Sequence, residues 1–367
     1  VVVADPSNGE ILGMASYPTF NLNDPRKLTG MYTDEEIKDM SDEEYRNNLY
    51  SLWTNYCVSE SYEPGSTFKP VTVASALEEG VVKDGDTYVC KGFETVADYK
   101  LKCHVFSTIG SHGSLTVEQA LMNSCNPYMI HLALEMGNSR FAYYQSLFGF
   151  GKITGIDLPG ETTGIVYGDR MTTIDAACNS FGQTINVNMM QMMAAYCSII
   201  NGGMLYQPHI VKRIESANGE VVKEYKANLV RQTITASTSK LLRRYLKNTV
   251  EEGTAKKAGV TGYSVAGKTG TAQKGDRKDN KWIISFIGHA PAENPKFAIY
   301  VVIDEPYGTT GTSGSSADVL TLTHNILEKL LPYMNVYKDA SDEYEDTSSS
   351  PDELTVDGIP AGTASSN

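Results

Sequence analysis

The sequence predicts an α/β (α+β) fold, in which one antiparallel sheet is built from both ends of the chain and helices pack on its faces. Residues 1–16 predict a hairpin, because two apolar runs flank the turn signal Asn8-Gly9. Three more short apolar runs, at 264–266, 282–288 and 297–303, are separated by Gly, Pro and Asn, as in adjacent antiparallel strands. Between them, apolar residues recur at helical spacing, which predicts a helical subdomain.

The helical middle has recognisable boundaries. Residues 33–48 are rich in Asp and Glu and predict an exposed helical excursion, whereas 66–80 predict a buried helix that ends at a glycine. Residues 84–113 contain four glycines and are expected to be irregular. Thr116 begins a capping box, and Asn126-Pro127 predicts the start of another helix with Asn126 as its cap. Further helices are predicted over 187–200, 237–251 and 319–331.

The charge balance constrains the partners. The chain has 31 Lys and Arg against 44 Asp and Glu residues, a formal net charge of -13. Nucleic acid is therefore not expected as a partner, because phosphate binding needs a basic face. Residues 336–367 are acidic and poor in apolar residues, which predicts a disordered tail after a folded domain over 1–335.

The start of the chain also leads to an expectation. No stretch reaches the ~18 apolar residues that span a bilayer. The chain opens inside a predicted strand, so any export signal or membrane anchor is expected to precede Val1.

The first candidate for chemistry is Ser66-Thr67-Phe68-Lys69. A serine hydroxyl needs a base within hydrogen-bond reach, and positions three apart on a helix share a face. A buried lysine loses its proton more readily, so Lys69 can serve as that base. The pattern alone is weak, since ~1–2 matches are expected by chance in a chain of this length. A second match at 237–240 lies in a polar run, where Ser237 is interpreted as a helix cap.

Two downstream patterns strengthen the first. Ser124-Cys125-Asn126 has a competitor in Ser216-Ala217-Asn218, which is interpreted as a hairpin turn. Lys268-Thr269-Gly270-Thr271 lies in a predicted edge strand, where a glycine lets a substrate backbone approach. Its lysine and threonine side chains offer a cation and hydroxyls to a substrate carboxylate.

The order Ser-x-x-Lys, Ser-x-Asn, Lys-Thr-Gly is the motif set of β-lactamases and penicillin-binding proteins. The chain resembles the transpeptidase domain of class B penicillin-binding proteins up to about residue 335, with closest similarity to the division and sporulation branch of Gram-positive bacteria. The resemblance implies a penicillin-binding/β-lactamase-like fold. Supporting stretches include Ala4-Asp5-Pro6, Ala15-Ser16-Tyr17-Pro18, Glu63-Pro64-Gly65-Ser66, 155–161, 180–183 and Asn201-Gly202-Gly203.

The resemblance implies roles at matching positions. Ser66 would attack the penultimate D-alanine of a peptidoglycan stem peptide, and Lys69 would take its proton. Ser124 and Asn126 would relay the proton to the leaving D-alanine and hold both Lys69 and the substrate amide. The segment 268–271 would bind the terminal carboxylate through Lys268, Thr269 and Thr271, with Gly270 allowing close approach. The backbone N–H groups of Ser66 and Thr271 would form the oxyanion hole, and the amine of a second stem peptide would resolve the acyl-enzyme.

Related activities use the same motifs. A class A β-lactamase needs a glutamate that activates the deacylating water, but Glu161 lies in a Pro-Gly turn and is interpreted as structural. A D,D-carboxypeptidase and a β-lactam receptor remain open as alternatives. The resemblance also implies β-lactam antibiotics as inhibitors, a membrane glycosyltransferase partner, an extracytoplasmic location, and no cofactor for catalysis.

A possible zinc site completes the predictions. Cys90 on one side and Cys103-His104 on the other bracket an irregular segment that includes Asp98, and thiolate, imidazole and carboxylate side chains are zinc ligands. His112 and Cys125 are reserve ligands. Related sporulation sequences carry similarly placed cysteines, which leaves a reversible disulfide or uncoupled thiols as alternatives. The other three cysteines, Cys57, Cys178 and Cys197, are interpreted as small apolar residues of the core.

Overall fold

The computed structural model describes residues 1–28, 32–275, 281–306 and 315–338. Most of the tail predicted for 336–367 lies outside the described residues. Within the described ranges, no helix is long and apolar enough to cross a membrane.

Thirteen strands and eleven α-helices make up the described part of the chain. The strands are β1 (Val2–Ala4), β2 (Ile11–Met14), β3 (Thr87–Cys90), β4 (Phe93–Val96), β5 (Tyr99–Lys102), β6 (Gly113–Thr116), β7 (Met204–Tyr206), β8 (Arg213–Glu215), β9 (Val221–Glu224), β10 (Leu229–Gln232), β11 (Ala266–Lys274), β12 (Lys281–Ala290) and β13 (Phe297–Asp304). The helices are α1 (Asp34–Asp39), α2 (Asp42–Trp53), α3 (Tyr56–Ser59), α4 (Lys69–Glu79), α5 (Val117–Met122), α6 (Asn126–Met136), α7 (Asn138–Leu147), α8 (Thr173–Asn179), α9 (Met189–Ile200), α10 (Ala236–Glu251) and α11 (Ala317–Tyr333). A 3-10 turn over Gly65–Phe68 leads directly into α4.

The main sheet has five antiparallel strands in the order β11-β12-β13-β1-β2. The prediction of one sheet assembled from both chain ends is confirmed, since Val2 of β1 pairs with Tyr300 of β13. The opening hairpin is also confirmed, with β1 paired to β2. Strand β11, which carries residues 268–271, forms one edge of the sheet.

Helices cover both faces of this sheet. Alternate residues of β13 point to opposite sides, so Tyr300 joins the larger core while Ile299 and Val301 join the smaller one. The larger core contains α9, whose four methionines are all buried as predicted, and the smaller core contains the apolar face of α11. Helix α4 packs against α6 and α9, and the 3-10 turn Gly65–Phe68 that leads into it lies against β11.

Two local predictions are wrong. Residues 84–113 are not irregular: aromatic and β-branched residues help to form the short strands β3, β4 and β5. Gly85, Gly92 and Gly110 lie in the connections, and Gly113 begins β6. Asn126 does not cap α6, because Cys125 occupies the N-cap position and Asn126 is the first helical residue. The Asn126 side chain is therefore available for another contact. The capping box at Thr116 is confirmed, with Gln119 as its partner.

The two competing motifs have structural roles. Ser216-Ala217-Asn218 lies in the turn between β8 and β9, as predicted. Ser237 lies in the first turn of α10 but does not cap it, because the Thr235 side chain accepts the backbone N–H of Thr238. The Ser237 hydroxyl instead lies 2.9 Å from the Thr235 hydroxyl. These positions leave Ser66 and Ser124 as the serines of the candidate site.

Candidate active site

Ser66 lies in the 3-10 turn that precedes α4, and this turn is held against the sheet edge by backbone contacts. The N–H of Gly65 donates to the carbonyl oxygen of Gly182 at 2.9 Å. Gly65 has a φ of +58°, and a Cβ there would lie 2.6 Å from the carbonyl oxygen of Thr271. Only glycine combines this backbone conformation with so close an approach, so Gly65 brings Ser66 beside β11.

Lys69 is completely buried beneath the turn. Its Nζ donates to the Ser124 carbonyl oxygen at 2.6 Å, to Ser124 Oγ at 3.0 Å and to Asn126 Oδ1 at 2.7 Å. Burial lowers the pKa of Lys69 to about 8, because the ammonium loses its hydration. Near neutral pH this group can therefore exchange its proton readily.

Ser124 connects the lysine to the nucleophile. Its hydroxyl donates to Ser66 Oγ at 3.0 Å and accepts from Lys69 Nζ. The structure thus links Lys69 to Ser66 through Ser124, whereas the sequence predicted a direct contact. Ser124 has a φ of +54°, a left-handed conformation that is uncommon for a residue with a Cβ and is often found at functional sites.

Lys268 is a second buried lysine of the site. Its Nζ donates to the carbonyl oxygen and hydroxyl of Thr269, at 3.2 and 3.4 Å. Burial, and then the charge of Lys69, lowers the pKa of Lys268 well below its ordinary value. Among the described residues, neither lysine forms an ion pair. Two buried amines without a carboxylate partner favour binding of an anion.

Gly270 lets the edge strand meet the catalytic turn. A Cβ at this position would lie 2.4 Å from Ser285 Oγ and 2.8 Å from the carbonyl oxygen of Pro64. Real Cβ contacts do not become this short, so a side chain would push β11 away from the turn that carries Ser66.

We expect Gly270→Ala to lower the second-order rate of penicillin acylation about tenfold or more, because it separates β11 from the turn of Ser66. It should also destabilise the fold by about 1–3 kcal/mol. Gly13→Ala is the matched control, since Gly13 also lies in a strand of the sheet and its nearest neighbouring atom would be 4.0 Å away. Acylation and urea unfolding of both variants check this; equal rates would contradict the steric argument.

The structure brings together only two of the four residues predicted as zinc ligands, Cys90 and Cys103. Asp98 is exposed in the turn between β4 and β5, and His104 is exposed with Nε2 2.9 Å from the Asn123 carbonyl oxygen. The structure gathers the two reserve ligands instead: Cys90, Cys103, His112 and Cys125 place their ligand atoms within 4.8 Å of one another. Four short strands, missed in the sequence, fold the cysteines toward the helix that follows Ser124.

The separations in this cluster fit a tetrahedral metal. His112 Nδ1 lies 3.5 Å from Cys103 Sγ and 3.8 Å from Cys90 Sγ. Zinc at about 2.3 Å from sulfur and 2.0 Å from nitrogen would hold neighbouring ligand atoms about 3.5–3.8 Å apart. Hydrogen bonds from Cys125 and His112 hold the pKa of Cys103 below its ordinary value, which favours the thiolate that binds metals.

Glu161 and the cysteines outside the cluster have structural positions. The Glu161 carboxylate accepts the backbone N–H groups of Thr154 and Gly155, at 2.7 and 3.0 Å, which confirms its role in a turn. Cys57 and Cys197 are buried as predicted, while Cys178 is partly exposed. The six cysteines are all free thiols.

Sequence reasoning missed the buried hydroxyl pair beneath Ser66. The Tyr62 hydroxyl donates to the Tyr300 hydroxyl at 2.7 Å, and Thr67 Oγ1 lies 3.4 Å from the same oxygen. Tyr300 lies more than 230 positions after both Tyr62 and Thr67, so no local sequence pattern identifies this contact.

Fold and site together define the penicillin-binding/β-lactamase-like class. Residues 1–328 match the family model of the penicillin-binding protein transpeptidase domain, and the chain belongs to this family.

Relatives with curated names agree with this assignment. Stage V sporulation protein D of Bacillus subtilis is 39% identical over 341 residues, which cover 91% of this chain and 49% of the relative. Peptidoglycan D,D-transpeptidase FtsI of Escherichia coli is 31% identical over 345 residues, 92% of this chain and 52% of the relative. The chain thus spans about half the length of these relatives.

Solved structures share the fold. Penicillin-binding protein 3 of Mycobacterium tuberculosis, complexed with aztreonam, aligns with a TM-score of 0.77 and 28% identity, over 92% of this chain and 73% of that one. The D,D-transpeptidase domain of a peptidoglycan glycosyltransferase from Eggerthella lenta aligns with a TM-score of 0.77 and 27% identity, over 91% of this chain and 78% of that one.

Proposed function

We propose that residues 1–335 form a peptidoglycan D,D-transpeptidase domain, which crosslinks stem peptides through an acyl-serine and is acylated by β-lactams. The observation that carries this proposal is a pair of buried lysines without a carboxylate partner among the described residues: Lys69, which is connected to the Ser66 hydroxyl through Ser124, and Lys268 on β11. Such a pocket suits a substrate that ends in a carboxylate. The names of the relatives and the aztreonam complex of a neighbour support the same function.

Acylation of Ser66 forms one bond and breaks another. Ser66 Oγ attacks the carbonyl carbon of the penultimate D-alanine, while its proton passes through Ser124 Oγ to the neutral amine of Lys69. The tetrahedral oxyanion accepts hydrogen bonds from the N–H groups of Ser66 and Thr271. The C–N bond then breaks, and the proton returns through Ser124 to the nitrogen of the departing D-alanine.

Deacylation repeats these steps with a different nucleophile. The neutral amine of a second stem peptide attacks the ester carbonyl and transfers one proton toward Lys69. The ester C–O bond breaks, and Ser66 Oγ recovers a proton through Ser124. The new amide is the crosslink.

Substrate orientation is assigned to β11 and α6. Lys268, Thr269 and Thr271 would bind the terminal carboxylate, since an ammonium and two hydroxyls are donors for it. Asn126, whose Oδ1 accepts from Lys69, would hold the substrate amide with its Nδ2.

The test separates the three candidate activities. Labelling with a fluorescent penicillin reports acylation, and incubation of a stem-peptide donor with an acceptor amine reports turnover. Crosslinked product supports the transpeptidase. Free acid alone would indicate a D,D-carboxypeptidase, and labelling without peptide turnover would indicate a β-lactam receptor.

The cellular setting is a further part of the proposal. We place the domain at the extracytoplasmic face of the cell membrane, held by a preceding anchor, beside a membrane glycosyltransferase that supplies the strands. The name of one relative, Stage V sporulation protein D, supports a role in sporulation, and cell division is the alternative process. Fractionation of the full-length protein and crosslinking in cells test both points.

We also propose that Cys90, Cys103, His112 and Cys125 bind one structural Zn²⁺, and that no cofactor takes part in catalysis. Bound zinc would tie β3 and the segment after β5 to Cys125, the residue between Ser124 and Asn126. The metal would therefore hold these two side chains in place. The reversible disulfide is the competing interpretation, because the same thiols lie close together.

Elemental analysis of protein purified without chelator should find about one zinc per chain. Cys103→Ser and His112→Ala should lower that content and reduce thermal stability, whereas Cys57→Ser, a buried thiol outside the cluster, should leave the content unchanged. Absence of zinc, together with loss of free thiols on mild oxidation, would favour the disulfide instead.

A further inference from the structure

Four buried hydroxyl groups lie where the 3-10 turn that carries Ser66 meets the main sheet, and none of the proton-transfer steps uses them. They belong to Tyr62, Thr67, Ser285 and Tyr300, whose side chains are all buried. A hydroxyl group is costly to bury without a hydrogen-bond partner, so these groups have to satisfy one another or the nearby backbone. The partners that they choose show which parts of the site they hold together.

Three of the hydroxyls form a directed chain that ends on the turn of Ser66. The Tyr62 hydroxyl donates to the Tyr300 hydroxyl at 2.7 Å, and Thr67 Oγ1 donates to the Pro64 carbonyl oxygen at 2.7 Å. Each hydroxyl carries a single hydrogen, so Tyr300 is the donor and Thr67 the acceptor in the 3.4 Å contact between them. Tyr300 therefore connects the sheet to the backbone two residues before Ser66.

The Tyr300 hydroxyl is also connected toward the edge strand. Tyr300 lies on β13, and Ser285 lies diagonally across from it on β12, on the same face of the sheet. Ser285 in turn pairs directly with Gly270 of β11. Burial raises the pKa of Tyr300, and its side-chain hydrogen bonds, including one with Ser285, oppose that rise. One buried hydroxyl thus has partners on the turn and on the strand next to β11.

These two partners stand directly behind the N–H groups assigned to the oxyanion. Thr67 follows Ser66 in the turn, and the residue that pairs with Ser285 precedes Thr271 on β11. The fit between turn and strand is close, because a Cβ on Gly270 would lie 2.9 Å from Thr67 Cγ2 and closer still to Ser285 Oγ. A change in either contact would therefore alter the separation of the two N–H groups.

We propose that Tyr300 is a positioning residue, whose hydroxyl sets the separation of the Ser66 and Thr271 N–H groups that bind the oxyanion. Because Tyr300 is fully buried, its hydroxyl acts through Thr67 on the turn and through Ser285 on β11, without contact to the substrate. The inference rests on the proposed function, which assigns these two N–H groups. Loss of the hydroxyl should therefore slow bond formation without weakening the first, noncovalent binding of penicillin.

Tyr300→Phe removes this oxygen and keeps the ring. We expect the first-order constant for acylation of Ser66 by penicillin to fall about tenfold, while the dissociation constant of the noncovalent complex changes less than about twofold. The pH dependence of the rate should keep its shape, because Lys69 is untouched. Quenched-flow labelling over a series of penicillin concentrations separates the two constants. A change confined to the dissociation constant would overturn the inference.

Tyr196→Phe is the matched control for lost packing. Tyr196 is also a buried tyrosine of the larger core, and its hydroxyl lies 2.9 Å from His289 Nδ1. The control should lower the urea midpoint of unfolding by a similar amount but keep the parent's acylation constant. Equal slowing of acylation in Tyr196→Phe and Tyr300→Phe would indicate a general loss of packing and would overturn the positioning role.

Thr67→Val provides a second test, which also decides the matter if Tyr300→Phe does not fold. It keeps the shape of the side chain but removes the acceptor of Tyr300, so it should slow acylation at least as much, with unchanged affinity for penicillin. The double variant should be no slower than Thr67→Val alone, because both changes break one chain. Multiplied effects would show that the two hydroxyls act separately and would overturn the inference.

The outcomes also separate this inference from the proposed function. A parental acylation constant in either folded single variant would overturn the positioning role and leave the transpeptidase intact. Failure of penicillin to label Ser66 in the parent would instead overturn the proposed function.

Discussion

Ser66→Ala is expected to abolish covalent labelling by a fluorescent penicillin and to lower D-alanine release by at least about four orders of magnitude. The Ser66 hydroxyl is the group that forms the ester. Among the described residues, the structure places no other equivalent hydroxyl next to Ser124 Oγ and Lys69. The substitution removes a partly exposed hydroxyl in a 3-10 turn, so the fold should be retained. Gel fluorescence and intact-protein mass measure the labelling.

A matched control comes from the second Ser-x-x-Lys match. Ser237→Ala changes the same chemical group in the first turn of α10, where its hydroxyl contacts only neighbouring residues of the helix start. We expect it to label and turn over like the parent. Labelling of Ser66→Ala at the parent's rate would show that the nucleophile is another residue.

Ser66 could be distinguished from Ser237 in the sequence because other patterns accompany it. A Ser-x-x-Lys match becomes informative only when other patterns accompany it, here the glycine before Ser66, the Ser-x-Asn pattern and the Lys-Thr-Gly pattern. The structure brings all three to one edge of the sheet. The sheet was predictable because the apolar runs at both ends of the chain need neighbouring strands and helices to bury their apolar side chains.

The remaining geometry depends on contacts that linear spacing does not encode. Asn126 looks like a helix cap in the sequence, because Asn before Pro favours that position. In the structure its side chain accepts a hydrogen bond from the buried Lys69, which is the role that the family resemblance implied. A buried ammonium without partners costs more free energy than a helix end without a side-chain cap. A tertiary contact here overrides a local preference.

The cysteine-histidine cluster shows the same limit. Cys103 and His104 are neighbours in the sequence, but consecutive side chains point to different sides of the chain, so only Cys103 turns inward. His112 and Cys125 join it because β6 pairs with β3 and returns the chain to Cys90. Cysteine and histidine were predictable from the sequence as the residue types of such a cluster, whereas their combination required the strand pairing.

Lys69→Met is expected to slow penicillin acylation by about 10²–10⁴-fold, because it removes the base and the bonds that orient Ser124. The variant should remain folded but lose about 1–3 kcal/mol of stability, because methionine fills the buried position while the Ser124 carbonyl oxygen and Asn126 Oδ1 lose their donor. Thermal unfolding therefore separates lost chemistry from lost structure. A rate close to the parent's would remove Lys69 from the proton path.

The pH dependence of the acylation rate tests independently whether Lys69 acts as a neutral base. The pKa of Lys69 is lowered to about 8 by burial, so the ammonium form predominates below that pH and the neutral amine above it. The parent's acylation rate should therefore rise as pH increases toward about 8 and level off above it. Lys69→Arg keeps the positive charge but does not lose its proton in this range, so its residual rate should not show that rise. A parental profile that falls between pH 6 and 8 would contradict a neutral lysine as the base, because the protonated form would then be the active one.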